Sequence, residues 1–375
     1  MKFVCFLLCT LTLLACTPRH LTDETTTGDT LALQHASLLT IVEADSFTTV
    51  AVADAWHKGQ TLHQYVLVPK SHPLPHNLPE GTLVRTPLEH ATVFSAVHAA
   101  LLNDFGYVNH ISGMCDMEYV IDSALNRSLR TFSIPSMGAS MQPNVEKIAQ
   151  SQSDALLVSP FKDNSYGPLE KLGTPLIECA DYMETSALGR AEWMRFFGRL
   201  FGFGARADSI FSRIETRYQQ LAQQTKALKK RPRLIIDRRE SGTWYVPGGR
   251  STMAQLFKDA GFDYFFAKNG ESGGVAVPFE EMMRQGISAD IWIIRYGAQT
   301  DLQLSDLATD DRRYTLFRPW KAQQVYGCNT FMQPYYESTP FHPDVLLEEL
   351  IRLAHPQLLP PSENTSSTLF HRLRP

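Results

Sequence analysis

Between Ala205 and Lys230 the chain carries no glycine or proline and places an apolar residue at every third or fourth position. Ile210, Ile214, Tyr218, Leu221, Thr225 and Leu228 form one stripe, widened by Phe211 and Ala222, so the period is helical. Gly202 and Gly204 mark the start, Lys226, Lys229, Lys230 and Arg231 suit the negative end of the helix dipole, and Pro232 stops it. At 1.5 Å per residue the helix is about 39 Å long, the width of a small domain. Such an element is either a surface helix or a strut between two lobes, and the pattern on each side decides between them.

Before it, LLTIVEA, FTTVAVA, QYVLVP and GTLVRTP read as strands of a β ribbon over 38–88, each closed by turn residues or proline. From Ala91 short apolar runs at Thr92–Ser95, His110–Met114, Ala155–Ser159 and Pro175–Cys179 alternate with helices starting near Val97, Asn144 and Tyr166. GRAEWMRFFGRLF (189–201) is a further helix leading into the long one. After Pro232 the alternation restarts with RLIIDR, TWYVPG, DIWIIRYG and VYGCN, separated by helices from Ser251, from Phe279 and near Trp320, and closed by one at Pro343–Ala354. Alternation of this kind builds mainly parallel sheets flanked by helices. The expected fold is therefore α/β, with an N-terminal lobe over 38–204 that includes the ribbon, a rigid connecting helix over 205–230 and a C-terminal lobe over 231–358. Residues 359–375, with Pro360, Pro361 and SENTSST, read as a frayed tail.

The first residues bear on location. Lys2, the apolar run Phe3–Leu14 and Leu13-Leu14-Ala15-Cys16 read as a signal peptide over 1–15 that ends in a lipobox. Lipid on Cys16 would anchor the fold to the outer face of a membrane in the cell envelope, through a Thr-rich tether over 16–37. The formal charge of −4 becomes −5 once Lys2 is removed, which argues against nucleic acid as a partner. Cys115, Cys179 and Cys328 show no C-x-x-C or zinc spacing; either one disulfide forms or the thiols stay buried and free.

QPNVEKIAQSQSDALLVSPF (142–161) and AVPFEEMMRQGISADIWIIRYG (276–297) echo one another: a helix start, a first-turn glutamate, and an Asp opening an apolar strand. On its own a first-turn glutamate answers the helix dipole. The ordered combination of lipobox, two βα lobes, one long helix and this element once per lobe resembles the cobalamin and iron-chelate binding proteins of bacterial ABC importers, over roughly Leu83 to Leu358. GRAEWMRFFGRLFG, VLVPKSHPLP, CADYMET, WYVPGGRS and FHPD are similar to Bacteroidetes-type lipoprotein members. The resemblance implies an importer's substrate-binding protein that delivers a siderophore, haem or cobalamin to a permease dimer with a cytoplasmic ATPase. It also implies docking glutamates at Glu146 and Glu280, with Glu281 the competing choice, and no cofactor beyond the transported chelate or corrinoid.

In a two-lobed α/β protein ligands bind at the carboxyl ends of strands. That rule selects loops carrying Ser95, His98, Asp116, Tyr119, Met141 and Tyr166 in the first lobe. In the second it selects loops carrying Trp244, Tyr245, Arg250, Arg295 and Asn329. The aromatic residues could stack on a flat ligand or pack in the core, and the arginines could hold an anionic chelate or form internal ion pairs. His98 could be an axial metal ligand or a structural hydrogen-bonding residue. A bare metal ion fits less well, since few donors converge. The alternatives are a surface capture or scaffold lipoprotein without a transporter and, more remotely, a serine hydrolase: Gly270-Glu271-Ser272-Gly273-Gly274 matches G-x-S-x-G, but no strand pattern precedes it and no helix follows.

Overall fold

The computed structural model describes residues 28–163, 165–359 and 369–375. The signal peptide, Cys16, the first part of the tether and residues 360–368 of the tail lie outside the described residues.

The ribbon is a five-stranded sheet in chain order, Asp29–Thr30, Leu39–Glu43, Thr48–Ala53, Thr61–Pro69 and Thr82–Thr86. Its pairs are antiparallel except the last, which is parallel. It starts earlier than the sequence suggests, because residues 28–37 belong to the fold. Two buried carboxylates hold them: Glu192 accepts the backbone N–H groups of Gln34, His35 and Ala36 at 2.8–3.1 Å, and Glu184 accepts those of Ser37 and Leu38. Consecutive N–H groups on a buried carboxylate satisfy both partners, which is why a polar segment without periodicity is ordered here.

The first lobe has a parallel sheet in the order Leu176–Glu178, Ala155–Val158, Ala91–Val93, Ile111–Met114. Helices Ala96–Asp104, Ser123–Thr131 and Val145–Gln150 flank it, capped by the side chains of Ser95, Asp122 and Asn144. The segment after Tyr166 forms a 3-10 turn, Gly167–Leu172. In the second lobe Asp263–Tyr264, Arg233–Ile236, Ile291–Tyr296 and Val325–Asn329 run parallel. Here the expected tail is corrected: His371–Arg372 adds an antiparallel edge strand beside Val325–Asn329, with Leu369, Phe370 and Leu373 buried. Burial of those three side chains anchors the end of the chain. A small antiparallel sheet of Arg239–Glu240, Thr243–Pro247 and Gly274–Val277 stands beside it.

The connecting helix spans Gly204–Lys226, 23 residues and about 35 Å. Phe211, Ile214, Tyr218, Leu221 and Thr225 are buried along its predicted stripe. It ends four residues sooner than the basic cluster suggests. Arg231 lies beyond the last turn and donates back to the carbonyls of Thr225 and Lys258, closing the helix from outside. Among the described residues no strand of one lobe's sheet pairs with the other's.

Candidate functional site

The turn after Leu176–Glu178 and the carboxyl ends of Arg233–Ile236 and Ile291–Tyr296 face one another across a cavity of about 490 Å³. The first lobe supplies Tyr182, Glu184 and Arg190; the second supplies Asp237, Tyr245, Ser272 and Arg295. A neighbouring space of about 170 Å³ shares Asp237, Tyr245 and Arg295 and adds Tyr336. On the first lobe's carboxyl edge a recess of about 130 Å³ is lined by Phe94, Met141, Val158, Phe161 and Tyr166.

Each wall of the main cavity has an arginine fixed by a carboxylate behind it. Asp181 is 1% exposed and accepts Arg190 Nε at 2.9 Å and His98 Nε2 at 2.8 Å. Burial works to raise the Asp181 pKa, but the attraction and hydrogen bonds of His98 and Arg190 outweigh it and hold the carboxyl below its usual value. Asp237, in a left-handed conformation with φ 56°, accepts Arg295 Nε at 3.2 Å, its Nη2 at 2.5 Å and its backbone N–H at 3.1 Å. Burial alone would lower the Arg295 pKa; Asp237 reverses this and drives it up.

Of the residues expected at the site, Tyr245 and Arg295 line the interlobe cavity, while Met141 and Tyr166 line the first-lobe recess. The Tyr166 hydroxyl donates to Glu178 at 2.9 Å. Trp244 is a correction: it lies on the face of its strand opposite Tyr245, is 1% exposed, packs against Trp292 and Tyr314, and donates Nε1 to the Ile236 carbonyl. Asn329 is a second correction. It is 0% exposed and its amide ties the strand end to Ala298 through both N–H and carbonyl. His98 is 2% exposed, packs against Phe197 and Phe341 and spends Nε2 on Asp181, so it stands behind the cavity wall rather than in it.

Ser95 caps its helix by accepting the Val97 N–H, and Asp116 accepts the Ser140 N–H, so both shape loops rather than line a cavity. Tyr119 and Arg250 are exposed outside the three lined spaces. Glu146 and Glu280 occupy the first turns of Val145–Gln150 and Phe279–Ser288 and are exposed, Glu280 within the electrostatic reach of Arg313. Glu281 differs, being engaged by Arg284 and Gln285.

Arg190 and Asp237 escape a reading of the sequence. Arg190 opens the helix that leads into the long one, and nothing in the local pattern separates it from a solvent-facing arginine. Ser272 reaches the cavity, but a loop precedes it and the strand Gly274–Val277 follows, so no nucleophile elbow forms. Cys115, Cys179 and Cys328 are buried and free, and burial pushes the Cys115 thiol up to about 12, away from reactivity. Among the described residues no group of three metal donors gathers.

The sequence profile of the periplasmic binding protein family matches residues 115–330. The chain belongs to the periplasmic binding protein family. This periplasmic binding protein is 25% identical over 289 residues to an uncharacterized lipoprotein of Methanocaldococcus jannaschii, a span covering 73% of this chain and 67% of the relative. In fold it is similar to a periplasmic binding protein from Veillonella parvula, with TM-score 0.60 and 14% identity over 83% of this chain and 99% of that one. It is also similar to the periplasmic catecholate-siderophore binding protein of Vibrio cholerae, with TM-score 0.56 and 14% identity over 72% of this chain and 94% of that one.

Proposed function

We propose that this periplasmic binding protein is the substrate-binding component of an ABC importer for a metal chelate or corrinoid, such as an iron–siderophore, haem or cobalamin. The observation that carries the reading is the interlobe cavity of about 490 Å³, to which one lobe brings Tyr182 and Arg190 and the other Tyr245 and Arg295. That volume falls within the range of small-ligand sites, and aromatic faces with fixed guanidinium donors suit a broad chelate. The structural similarity to a siderophore-binding protein supports the same class.

In this reading Glu146 and Glu280, one exposed carboxylate on each lobe, dock on arginines of a permease dimer whose ATPase is cytoplasmic. Lipid on Cys16 tethers the protein to a membrane with its fold facing the periplasm, in keeping with the lipoprotein designation of the archaeal relative. Native mass spectrometry and an absorption spectrum of protein purified from its own host test the assignment. A co-purifying metal chelate or corrinoid supports it. Protein that carries none and takes up no ferric chelate, haemin or cyanocobalamin refutes it.

A further inference from the structure

We propose that the interlobe site selects a chelate of net charge near zero, such as a ferric complex of three monoanionic hydroxamates, over a multiply charged anion. This rests on the reading that the cleft is the ligand site, and it narrows the class of ligand.

The charges lining the cleft cancel. Arg190, Arg238 and Arg295 stand beside Asp237 and Glu240 in the lining of the main cavity and its smaller neighbour, while the carboxylate of Glu184, also at the wall, is turned to Ser37, Leu38 and Trp193. The first-lobe recess has no charged side chain in its lining. Each arginine is already committed to a carboxylate: Arg190 to Asp181, Arg295 to Asp237, and Arg238 to Asp310. Asp181, directly behind Arg190, adds one further negative charge close to the wall. A trianion entering this space would leave water to meet as much negative as positive charge at short range. It could gain a full counter-charge only by drawing Arg190 from the buried Asp181, Arg295 from the partly buried Asp237 or Arg238 from the exposed Asp310, and the first two leave a carboxylate unpaired away from bulk water. A neutral complex leaves all these pairs intact.

The site still offers donors to such a ligand. Asp181 engages Arg190 through Nε, and neither terminal amino group of Arg190 has a protein acceptor among the described residues. Asp237 takes Nε and Nη2 of Arg295 and leaves Nη1 without one. These N–H groups, held in place by their carboxylates, suit the carbonyl and hydroxamate oxygens at the edge of a chelate. Tyr245 and Tyr336 present large exposed aromatic faces beside them.

The test is a fluorescence titration of the full chain with a neutral ferric trihydroxamate, a size-matched trianionic ferric tris-catecholate and neutral cyanocobalamin, at low and high salt. A neutral probe is expected to bind about tenfold more tightly than the trianion, with affinity almost independent of salt because no net charge is neutralised. Cyanocobalamin as the tight binder supports the same inference and moves the ligand class to corrinoids. In Asp237→Asn, and independently in Asp181→Asn on the other lobe, the unmasked arginine should strengthen trianion binding about tenfold relative to the neutral probe. The salt dependence of the unaltered protein decides the matter if either variant fails to fold. Equal or tighter binding of the trianion by the unaltered protein, weakening with salt, overturns the inference while leaving the cleft as the site. Binding of none of the three probes overturns the underlying reading and the inference with it.

Discussion

The carboxylate of Glu337 accepts the backbone N–H of Asp122 at 3.0 Å across the boundary between the two lobes. It also accepts the N–H of Ile121, so a side chain of the second lobe completes the N-terminus of the first-lobe helix Ser123–Thr131. His342 and Asp104 pair at 2.9 Å across the same boundary, and Thr252 donates its hydroxyl to the Glu184 carbonyl at 2.9 Å. The lobes are thus latched as well as strutted, which favours small hinge movements over large closure.

Glu337→Ala leaves the N–H groups of Ile121 and Asp122, at the start of a helix, unpaired at a partly buried site. The expected cost is about 1.5–3 kcal/mol, typical of hydrogen bonds to a charged group. Urea unfolding measures it, and amide exchange at Ile121 and Asp122 should accelerate. Unchanged exchange there would mean that the latch does not hold the helix end.

Glu349 and His342 give the stability a pH dependence of definite sign. Burial pushes the Glu349 carboxyl from its ordinary 4.5 up to about 7, against the opposing pull of Arg352 and the Leu369 N–H. The folded state then holds a proton that the unfolded chain has released, so stability falls as pH rises from 4.5 to about 7. Burial lowers the His342 pKa, but Asp104 outweighs it and leaves it raised above 6.5. Its contribution is fully present below 6.5 and lost as pH rises through the higher folded value. Glu349→Gln should flatten the first part of the profile and His342→Asn the second, in urea midpoints collected from pH 5 to pH 8. A profile that either variant leaves unaltered contradicts the assignment for that residue.

Trp244 and Tyr245 are neighbours with opposite tasks. Trp244→Ala empties the aromatic cluster with Trp292, Tyr314 and Phe317 and should cost about 3–5 kcal/mol of stability. Tyr245 is 57% exposed, so Tyr245→Ala should change stability by less than about 0.5 kcal/mol. Loss of its aromatic contact should weaken binding of the co-purified ligand about three- to tenfold. Thermal denaturation and ligand titration of the two variants separate these outcomes, and full affinity in Tyr245→Ala would remove the aromatic wall from the account.

Glu146→Lys and Glu280→Lys should each abolish stimulation of the transporter's ATPase in proteoliposomes while leaving ligand affinity unchanged. Glu281→Lys serves as the control and should retain most of the stimulation, because Glu281 is tied to Arg284 rather than presented to a partner. Lost ligand affinity in the first two variants would sink the docking role.

Periodicity made the architecture legible. The buried stripe Ile214, Tyr218, Leu221 and Thr225 and the short apolar strands need no knowledge of distant partners. What escaped depends on contacts far along the chain. Gln34–Ser37 reads as tether because the carboxylates that order it, Glu184 and Glu192, lie about 150 positions away. The edge strand His371–Arg372 is two residues long beside a polar run, too short to leave a pattern. At the site the strand-end rule brought out Tyr245 and Arg295 but could not assign faces within TWYVP, where burial alternates and puts Trp244 inside. Arg190 was hidden because a helical arginine looks alike whether it meets solvent or a cleft.

In the proposed function cargo lies between the two lobes, against Arg190 on one side and Arg295 on the other. A crystal structure of the protein with its co-purified cargo tests this most directly. Ligand density is expected in the interlobe cavity, within hydrogen-bonding distance of both guanidinium groups and against the ring of Tyr245. Density instead in a second groove of about 610 Å³, lined by Lys230, Arg231, Arg318 and Arg352 beyond the end of the connecting helix, would contradict it.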